Sequence, residues 1–575
     1  MPDDSTHVKI NSKGIAQHTY DAIVIGSGIS GGWAAKELCE KGLKTLVLER
    51  GRNIEHIKDY PTMNTPIWGF RHRGWVSKNL RDENPLISKA AGYDESTQHF
   101  FIKDKDHPYI QEKPFDWIRG YQVGGKSLIW GRACARWSES DFTAPQRYGY
   151  AIDWPVRYNE IAPWYSHVER FIGVCGTKEG IESMPDGEFL TGYELNCVEQ
   201  HLKDVLWNKF KRHYVSGRWA QVTEPNEIQK QQGRYCLNRN ACMRGCPYGG
   251  YFSSVTSTLP WAEQTGNLTV QPFSVVHSVI YDQKKQKAIG VRVIDANTMK
   301  ATEYFASIIF VNASALNTNL ILLNSVSNRF PNGLGNDNGL LGKYICHHNY
   351  RAGMGGEFDG FTDKYYKVSK PAECIIPNFR NIYKQDTDFL GGYVIFSGAY
   401  REKMSDKGIQ STIGADFKEA IGEPGGWGAY MYLQGETIPK EKNHVRLSSD
   451  KKDQWGIPLL ITSVDYDDND EKLIKDFLEQ GQAMLEAAGA KNINTYVNHQ
   501  APGLDIHEMG GVRMGHDSKT SLLNEWNQLH ACKNVFVTDG ACMTSTGNQS
   551  PSILYMAFTA RAANHAVEEL KKGNL

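Results

Sequence analysis

Residues 236–247 read CLNRNACMRGCP. Cys236, Cys242 and Cys246 fall within eleven residues in the spacing C-x5-C-x3-C, and Pro247 follows directly. Structural zinc takes four ligands, usually as two close pairs, and this stretch contains neither a fourth cysteine nor a histidine. Thiolates are soft ligands that suit iron–sulfur clusters. Three of them match a [3Fe–4S] cluster, with one thiolate for each iron, whereas a [4Fe–4S] cluster would draw a fourth ligand from elsewhere. A disulfide with a spare thiol, or three inert cysteines, are the rival readings. A cluster would let electrons leave one at a time, which favours a dehydrogenase with a protein acceptor over an oxidase.

A second constellation lies near the start. Gly26, Gly28 and Gly31 form G-x-G-x-x-G, placed after an apolar run and before a helical pattern, and Glu49 ends the next apolar run. Gly26 permits the tight turn, Gly28 lets a pyrophosphate approach the backbone, and Gly31 lets helix and strand pack closely. The helix start presents N–H groups and a favourable dipole to phosphate. Glu49 stands where a ribose hydroxyl needs an acceptor. The cofactor is NAD or FAD; the position in a long chain and the ERG tripeptide Glu49–Gly51 favour FAD.

Three further segments add to this: GYQVGGKSLIWG (120–131), HEMGGVRMG (507–515) and NVFVTDGACMTSTGNQSPSIL (534–554). Together with the N-terminal unit they resemble the glucose–methanol–choline (GMC) family of FAD-dependent oxidoreductases, over nearly the whole chain. Within the family the likeness is to bacterial sugar and sugar-acid dehydrogenases, including the three-cysteine spacing of members that carry a [3Fe–4S] cluster. The resemblance implies that Gly26, Gly28, Gly31 and Glu49 hold the ADP half of FAD. It sets Gly124 and Gly125 against the flavin or its phosphates, and Asp539 and Gly540 near the ribityl chain and pyrophosphate. His507 and Asn548 become the His/Asn pair at the flavin. A neutral imidazole suits abstraction of a hydroxyl proton at neutral pH, and Asn548 would hold the same oxygen. Some members link FAD covalently through a histidine; Ile129 occupies that position among Ser127, Leu128 and Trp130, so non-covalent FAD is expected. His347, His348 and His516 are read as structural or supporting. The implied activity is oxidation of a secondary hydroxyl, C3 of glucose or a glucoside, to a ketone, with another sugar or sugar-acid dehydrogenase (gluconate, fructose, C1 or C2 of glucose) or a pyranose-oxidase-like enzyme using O₂ as the alternatives. The implied partners are a small subunit that carries an export signal and a c-type cytochrome acceptor. That points to the periplasm by co-export, with the cytoplasm as the alternative.

Composition bounds what must position these groups. The chain has 575 residues, 40% hydrophobic and 22% charged, with net charge −1 and a pI near 7.0. Such balance attracts neither nucleic acid nor an anionic membrane as a whole. The first residues are polar, without an apolar signal core, and no apolar run reaches the length of a membrane span. The other eight cysteines, such as Cys39, Cys134 and Cys542, are expected to be buried and inert. Residues 20–49 read as one βαβ unit. Short β-type runs recur over 268–311, and ASIIFVNASALNTNLILLN (306–324) reads as strand, turn and helix. GGYVIFSGAY, WGAYMYLQGE and NHVRLSS suggest a second, antiparallel sheet. DEKLIKDFLEQGQAMLEAAGA and the C-terminal SILYMAFTARAANHAVEELKK read as helices. The expected class is mixed α/β (α+β): a Rossmann-like FAD-binding domain (15–150, 236–350, 500–575) interleaved with a substrate domain (151–235, 351–499) built on an antiparallel sheet with helices. Loops within 350–440 are expected to contact the substrate.

Overall fold

The computed structural model describes residues 18–364, 372–402, 413–422 and 424–575. The first three residues of the expected cofactor-binding segment, the polar N-terminus and parts of the 350–440 loops lie outside these.

The chain enters at β1 (Ala22–Ile25), α1 (Ile29–Glu40) and β2 (Thr45–Leu48). Both are four-residue strands, apolar except for Thr45 and buried at every position. That is the pattern of a central parallel strand covered on both faces, and each large side chain there stabilises the fold by about 1.5–3 kcal/mol relative to exposure. Later segments complete the sheet: β3 (Leu268–Gln271), β7 (Ile308–Val311) and β13 (Cys532–Phe536). The order is Gln528–Leu529, β13, β7, β1, β2, β3. β13 through β3 run parallel, with Ala22 level with both Ile308 and Thr45; only the Gln528–Leu529 edge is antiparallel. A three-stranded antiparallel sheet of β4 (Ser274–Asp282), β5 (Lys287–Asp295) and β6 (Ala301–Phe305) lies between β3 and β7 along the chain. After β7, α3 (Ala315–Asn324) completes the expected strand, turn and helix.

The second large sheet is antiparallel. Its path is β12 (Lys491–Val497), β8 (Ala352–Phe358), β11 (Trp427–Glu436), β10 (Tyr393–Arg401), β9 (Cys374–Ile376) and Val215–Ser216. His348–Asn349 also pairs with the end of β11, setting His348 level with Glu436. The amphipathic helix α4 (Asp468–Ala487) buries Leu473, Ile474, Phe477, Met484 and Leu485 in the core beneath this sheet. The two sheets draw on alternating parts of the chain, so the architecture is the interleaved mixed α/β fold that the motifs imply. NHVRLSS departs from expectation. It forms His444–Lys452, which pairs with Pro458–Ser463 and through it with Ile110–Gln111 in a separate small sheet. The short DQWGI connection makes that local hairpin the nearer partner. Helix α2 (Tyr158–Ile172) and the C-terminal helix α5 (Ser552–Lys571) share the core beside β1.

Candidate active site

A cavity of about 960 Å³ opens along the carboxyl ends of the parallel strands, the usual ligand crevice of such a sheet. At one end are Gly26, Ser27, Gly28, Glu49, Gly125, Asp539 and Gly540. Gly26 has φ +95°, and a Cβ there would lie 2.4 Å from the Asn312 carbonyl oxygen. A Cβ on Gly31 would lie 1.9 Å from the Gly26 carbonyl oxygen, whereas one on Gly28 would meet nothing. Gly31 therefore serves packing, and Gly28 faces open space at the start of α1. Glu49 is buried, and its pKa is raised by that burial. Its carboxylate accepts the Ser27 hydroxyl at 2.6 Å and the Gly51 N–H at 3.0 Å. The Gly124 N–H donates to Ser27 Oγ at 3.0 Å, which ties the second glycine-rich loop to the first. Gly124 itself lies behind the cavity wall in a left-handed turn at φ +91°. Asp539 accepts from Thr318 Oγ1 at 2.6 Å and from the Ala541 N–H at 3.0 Å; burial lifts it to about 6. An open glycine at a helix start, a buried acid after β2 and a further acid across the cleft fit the ADP and ribityl portions of FAD. Ile129 is on the wall and has no atom able to bond the flavin covalently.

Farther along the same cavity stand Tyr350, Glu373, Tyr432, Asp505, His507 and Ser550. His507 is partly buried, and its pKa is driven well below 6.5 by desolvation, then by His348 and Lys126. His348 is buried and is lowered to about 4 by desolvation. Both rings are therefore neutral at neutral pH, with one N–H each. His348 Nε2 lies 3.0 Å from the Gly547 carbonyl oxygen, which can only accept, so its proton is there. Its Nδ1 is then a lone pair, and His507 Nδ1, 2.9 Å away, must donate to it. The network assigns His507 a single free basic nitrogen, Nε2. Asp505 accepts the backbone N–H groups of His348 at 2.8 Å and His507 at 3.3 Å, so one carboxylate holds both residues. Glu373, partly buried, accepts from Tyr430 at 2.9 Å and Tyr432 at 2.7 Å, and desolvation raises its pKa.

Asn548 is not brought to this wall. It is 3% exposed, its Nδ2–H donates to Asp141 at 2.7 Å, and its backbone oxygen accepts from Gln434 at 2.7 Å. Ser550, two residues on, lines the cavity instead and donates to Gln434 at 3.1 Å. The turn that follows Gly547 thus presents Ser550 inward and turns Asn548 toward the buried acid. His347 is buried behind the wall, its Nδ1 3.0 Å from the His348 carbonyl oxygen; exposed His516 lies 3.4 Å from Asp153.

The three cysteines share one loop. Cys236, Cys242 and Cys246 are free and partly buried. Seven of the other eight are buried as expected, and Cys197 is partly exposed. Cys236 Sγ accepts the Asn238 N–H and Cys246 Sγ the Gly250 N–H, each at 3.4 Å. Burial raises the Cys236 and Cys246 thiols, and the proximity of the neighbouring thiols raises them further. N–H bonds to sulfur favour a thiolate that ligates metal. From the same loop, Asn240 and Met243 line the large cavity.

Two family patterns described as GMC oxidoreductase match the chain at residues 217–349 and 439–559. The chain belongs to the GMC oxidoreductase family. It is similar to the 2-methyl-1,2-propanediol dehydrogenase of Mycolicibacterium austroafricanum, 27% identical over 95% of this chain and 94% of that protein. It is also similar to the fructose dehydrogenase large subunit of Gluconobacter japonicus, 24% identical over 96% of this chain and 98% of that one. In fold it matches pyridoxine 4-oxidase from Mesorbium loti, with a TM-score of 0.58, 15% identity and coverage of 95% and 99%. This GMC oxidoreductase is accordingly an enzyme that acts on CH–OH groups, and its family implies FAD. No helix among the described residues is long and apolar enough to cross a membrane.

The His507 motif was visible in the sequence through its Gly-Gly turn. Ser550, Glu373, Asp505 and Lys126 were not singled out. Asp505 and Ser550 each lie two residues from a residue that was, which is the only local signal they gave.

Proposed function

We propose that this GMC oxidoreductase is an FAD-dependent dehydrogenase that oxidises a ring secondary hydroxyl, C3 of glucose or a glucoside, to a ketone. The observation that carries this is a single cavity running from the open face of Gly28 to His507, with the cysteine loop in its wall. Bound FAD supplies the two-electron acceptor for the carbon-bound hydride. His507 Nε2 takes the hydroxyl proton, being neutral and unshared at neutral pH. His348 holds that tautomer, and Asp505 fixes both residues through their backbone. Glu373, Tyr432 and Ser550 offer hydrogen bonds to the remaining hydroxyls of a sugar; a site built to pair such groups rejects analogues that lack them. Asn548, tied to Asp141, holds the shape of the wall.

Cys236, Cys242 and Cys246 would hold an iron–sulfur cluster, [3Fe–4S], which supplies one-electron steps toward a c-type cytochrome. A small subunit with an export signal would carry the complex to the periplasm, in line with the fructose dehydrogenase relative being the large subunit of an assembly. The balance is simple: one alcohol yields one ketone, two protons and two electrons, and two cytochromes are reduced.

The test is anaerobic mixing of the FAD-loaded protein with a panel of sugars and glycosides, following flavin bleaching, with NMR of the product. A keto carbon at C3 is expected. A C1 lactone, or a keto group at another carbon, would reassign the regiochemistry, and no bleaching with any sugar would remove the substrate class. Cys242→Ser should lose iron but bleach normally, while cytochrome reduction stops.

A further inference from the structure

We infer that the surface surrounding the cysteine loop is the docking face for an acidic, electron-accepting protein. This rests on the proposed electron exit through the three cysteines. The segment after β2 and the cysteine loop form one surface. Arg239 donates to the Met63 carbonyl at 2.8 Å and to Asn64 Oδ1 at 2.9 Å, and Arg244 donates to the Thr65 carbonyl at 3.0 Å. Gly245 passes so close to Tyr60 that a Cβ there would lie 2.4 Å from the ring.

Large apolar side chains stand out into solvent on this surface. Trp68 is 72% exposed and Trp75 77%, with Ile67 beside them and Leu237, at 53%, next to Cys236. Tryptophan is normally mostly buried, and large apolar side chains exposed on one surface mark an interaction site. Trp75 also edges a groove with Arg81, Asp82 and Lys89, and Lys89, paired with Asp116, lines the main cavity as well.

The charge around these anchors leans basic. Residues 66–81 and 228–248 contain no aspartate or glutamate. Arg71, Arg73, Arg81, Arg239 and Arg244 make no ion pair among the described residues. The acids set against the first segment include Glu95, whose carboxylate accepts the N–H groups of His72 and Gly74, and Asp82, which pairs with Lys78. In a chain of net charge −1, this is a local basic rim around an aromatic centre. That is the composition of a hot spot, with Trp and Arg enriched, and it complements an acidic partner that is steered by charge and held by apolar contact. The loop beneath it is the one that would carry electrons outward, so a partner seated here needs no second path.

The experiment uses the FAD-loaded, iron-containing protein and two soluble haem proteins of opposite charge, acidic cytochrome b5 and basic cytochrome c, as binding probes in calorimetry at low and high salt. The expected result is binding of the acidic probe only. It should weaken at least tenfold between 50 and 300 mM salt, and at least tenfold in Trp68→Ser/Trp75→Ser and in Arg71→Glu/Arg73→Glu. Sugar-driven bleaching and FAD content should remain as in the parent, which keeps the docking inference distinguishable from the dehydrogenase reading. Binding of neither probe, equal binding of both, or binding indifferent to the substitutions would overturn it. So would patch-dependent capture by phosphatidylglycerol vesicles, which would make this a membrane face, or patch-dependent dimerisation in sedimentation.

Discussion

At His507 the useful property is neutrality. An imidazole buried beside His348 and Lys126 is held well below 6.5, so it stays a base at pH values where an exposed histidine would already be protonated. The acid limb of kcat/KM should consequently fall below pH 6.5 in the parent. His507→Ala should lower the rate of flavin bleaching by about 10²–10⁴-fold, with FAD retained. His348→Ala acts differently. It removes the acceptor that keeps the His507 proton on Nδ1 and admits solvent, so kcat should drop about 10²-fold and the acid limb should move up toward 6.5. His348→Gln, which can both accept from His507 and donate to Gly547, should recover part of the rate. A variant that loses activity with an unchanged pH profile would show that His348 only fills space. His507 could be read from sequence because glycines fix the turn around it. Its partnership with His348 could not, since the two are 159 positions apart and meet only when a strand end of the antiparallel sheet is laid against the loop after β12.

The glycine-rich turn between β1 and α1 separates packing from binding within six residues. Gly31→Ala puts a methyl 1.9 Å from the Gly26 carbonyl oxygen, and should lower thermal stability of the apoprotein together with FAD content. Gly28→Val puts its side chain into space that no protein atom occupies. It should leave apoprotein unfolding within a few degrees of the parent and reduce FAD affinity by at least tenfold. Calorimetry of apoprotein with flavin titration separates the two; equal loss of stability in both would mean that Gly28 faces protein after all. This unit was legible because period, length and punctuation agree: two apolar runs, a glycine turn and a helix ended by Gly42. The antiparallel sheet was legible only as strands. Its order joins Val215–Ser216 to β9 and β8 to both β11 and β12, pairings that depend on tertiary fit rather than on any local signal. NHVRLSS shows the limit, since an alternating strand carries no mark of which sheet it will join.

Across the whole molecule, several carboxyl groups are folded into places that favour their neutral form. Glu436 is raised to about 8, chiefly by burial and then by Asp141, which burial lifts to about 6. Asn548 bridges toward this pair from behind the cavity wall. Sequence gave no hint of it, because Asp141 and Glu436 are nearly three hundred positions apart and each is an ordinary acid in its own segment. An acid with a raised folded pKa binds more protons folded than unfolded. Its contribution to stability is whole below about 4.5 and shrinks as pH climbs toward 8, at up to about 1.4 kcal/mol for each pH unit in that window. The fold should accordingly be less stable at pH 9 than at pH 6, opposite to a protein dominated by exposed paired carboxylates. Glu436→Gln keeps the size and the hydrogen-bonding capacity but cannot ionise. Its unfolding midpoint should match or fall slightly below the parent's at pH 6 and exceed it at pH 9. Chemical denaturation of both proteins at the two pH values decides the matter, and parallel curves with no crossing would show that Glu436 does not titrate in the folded state.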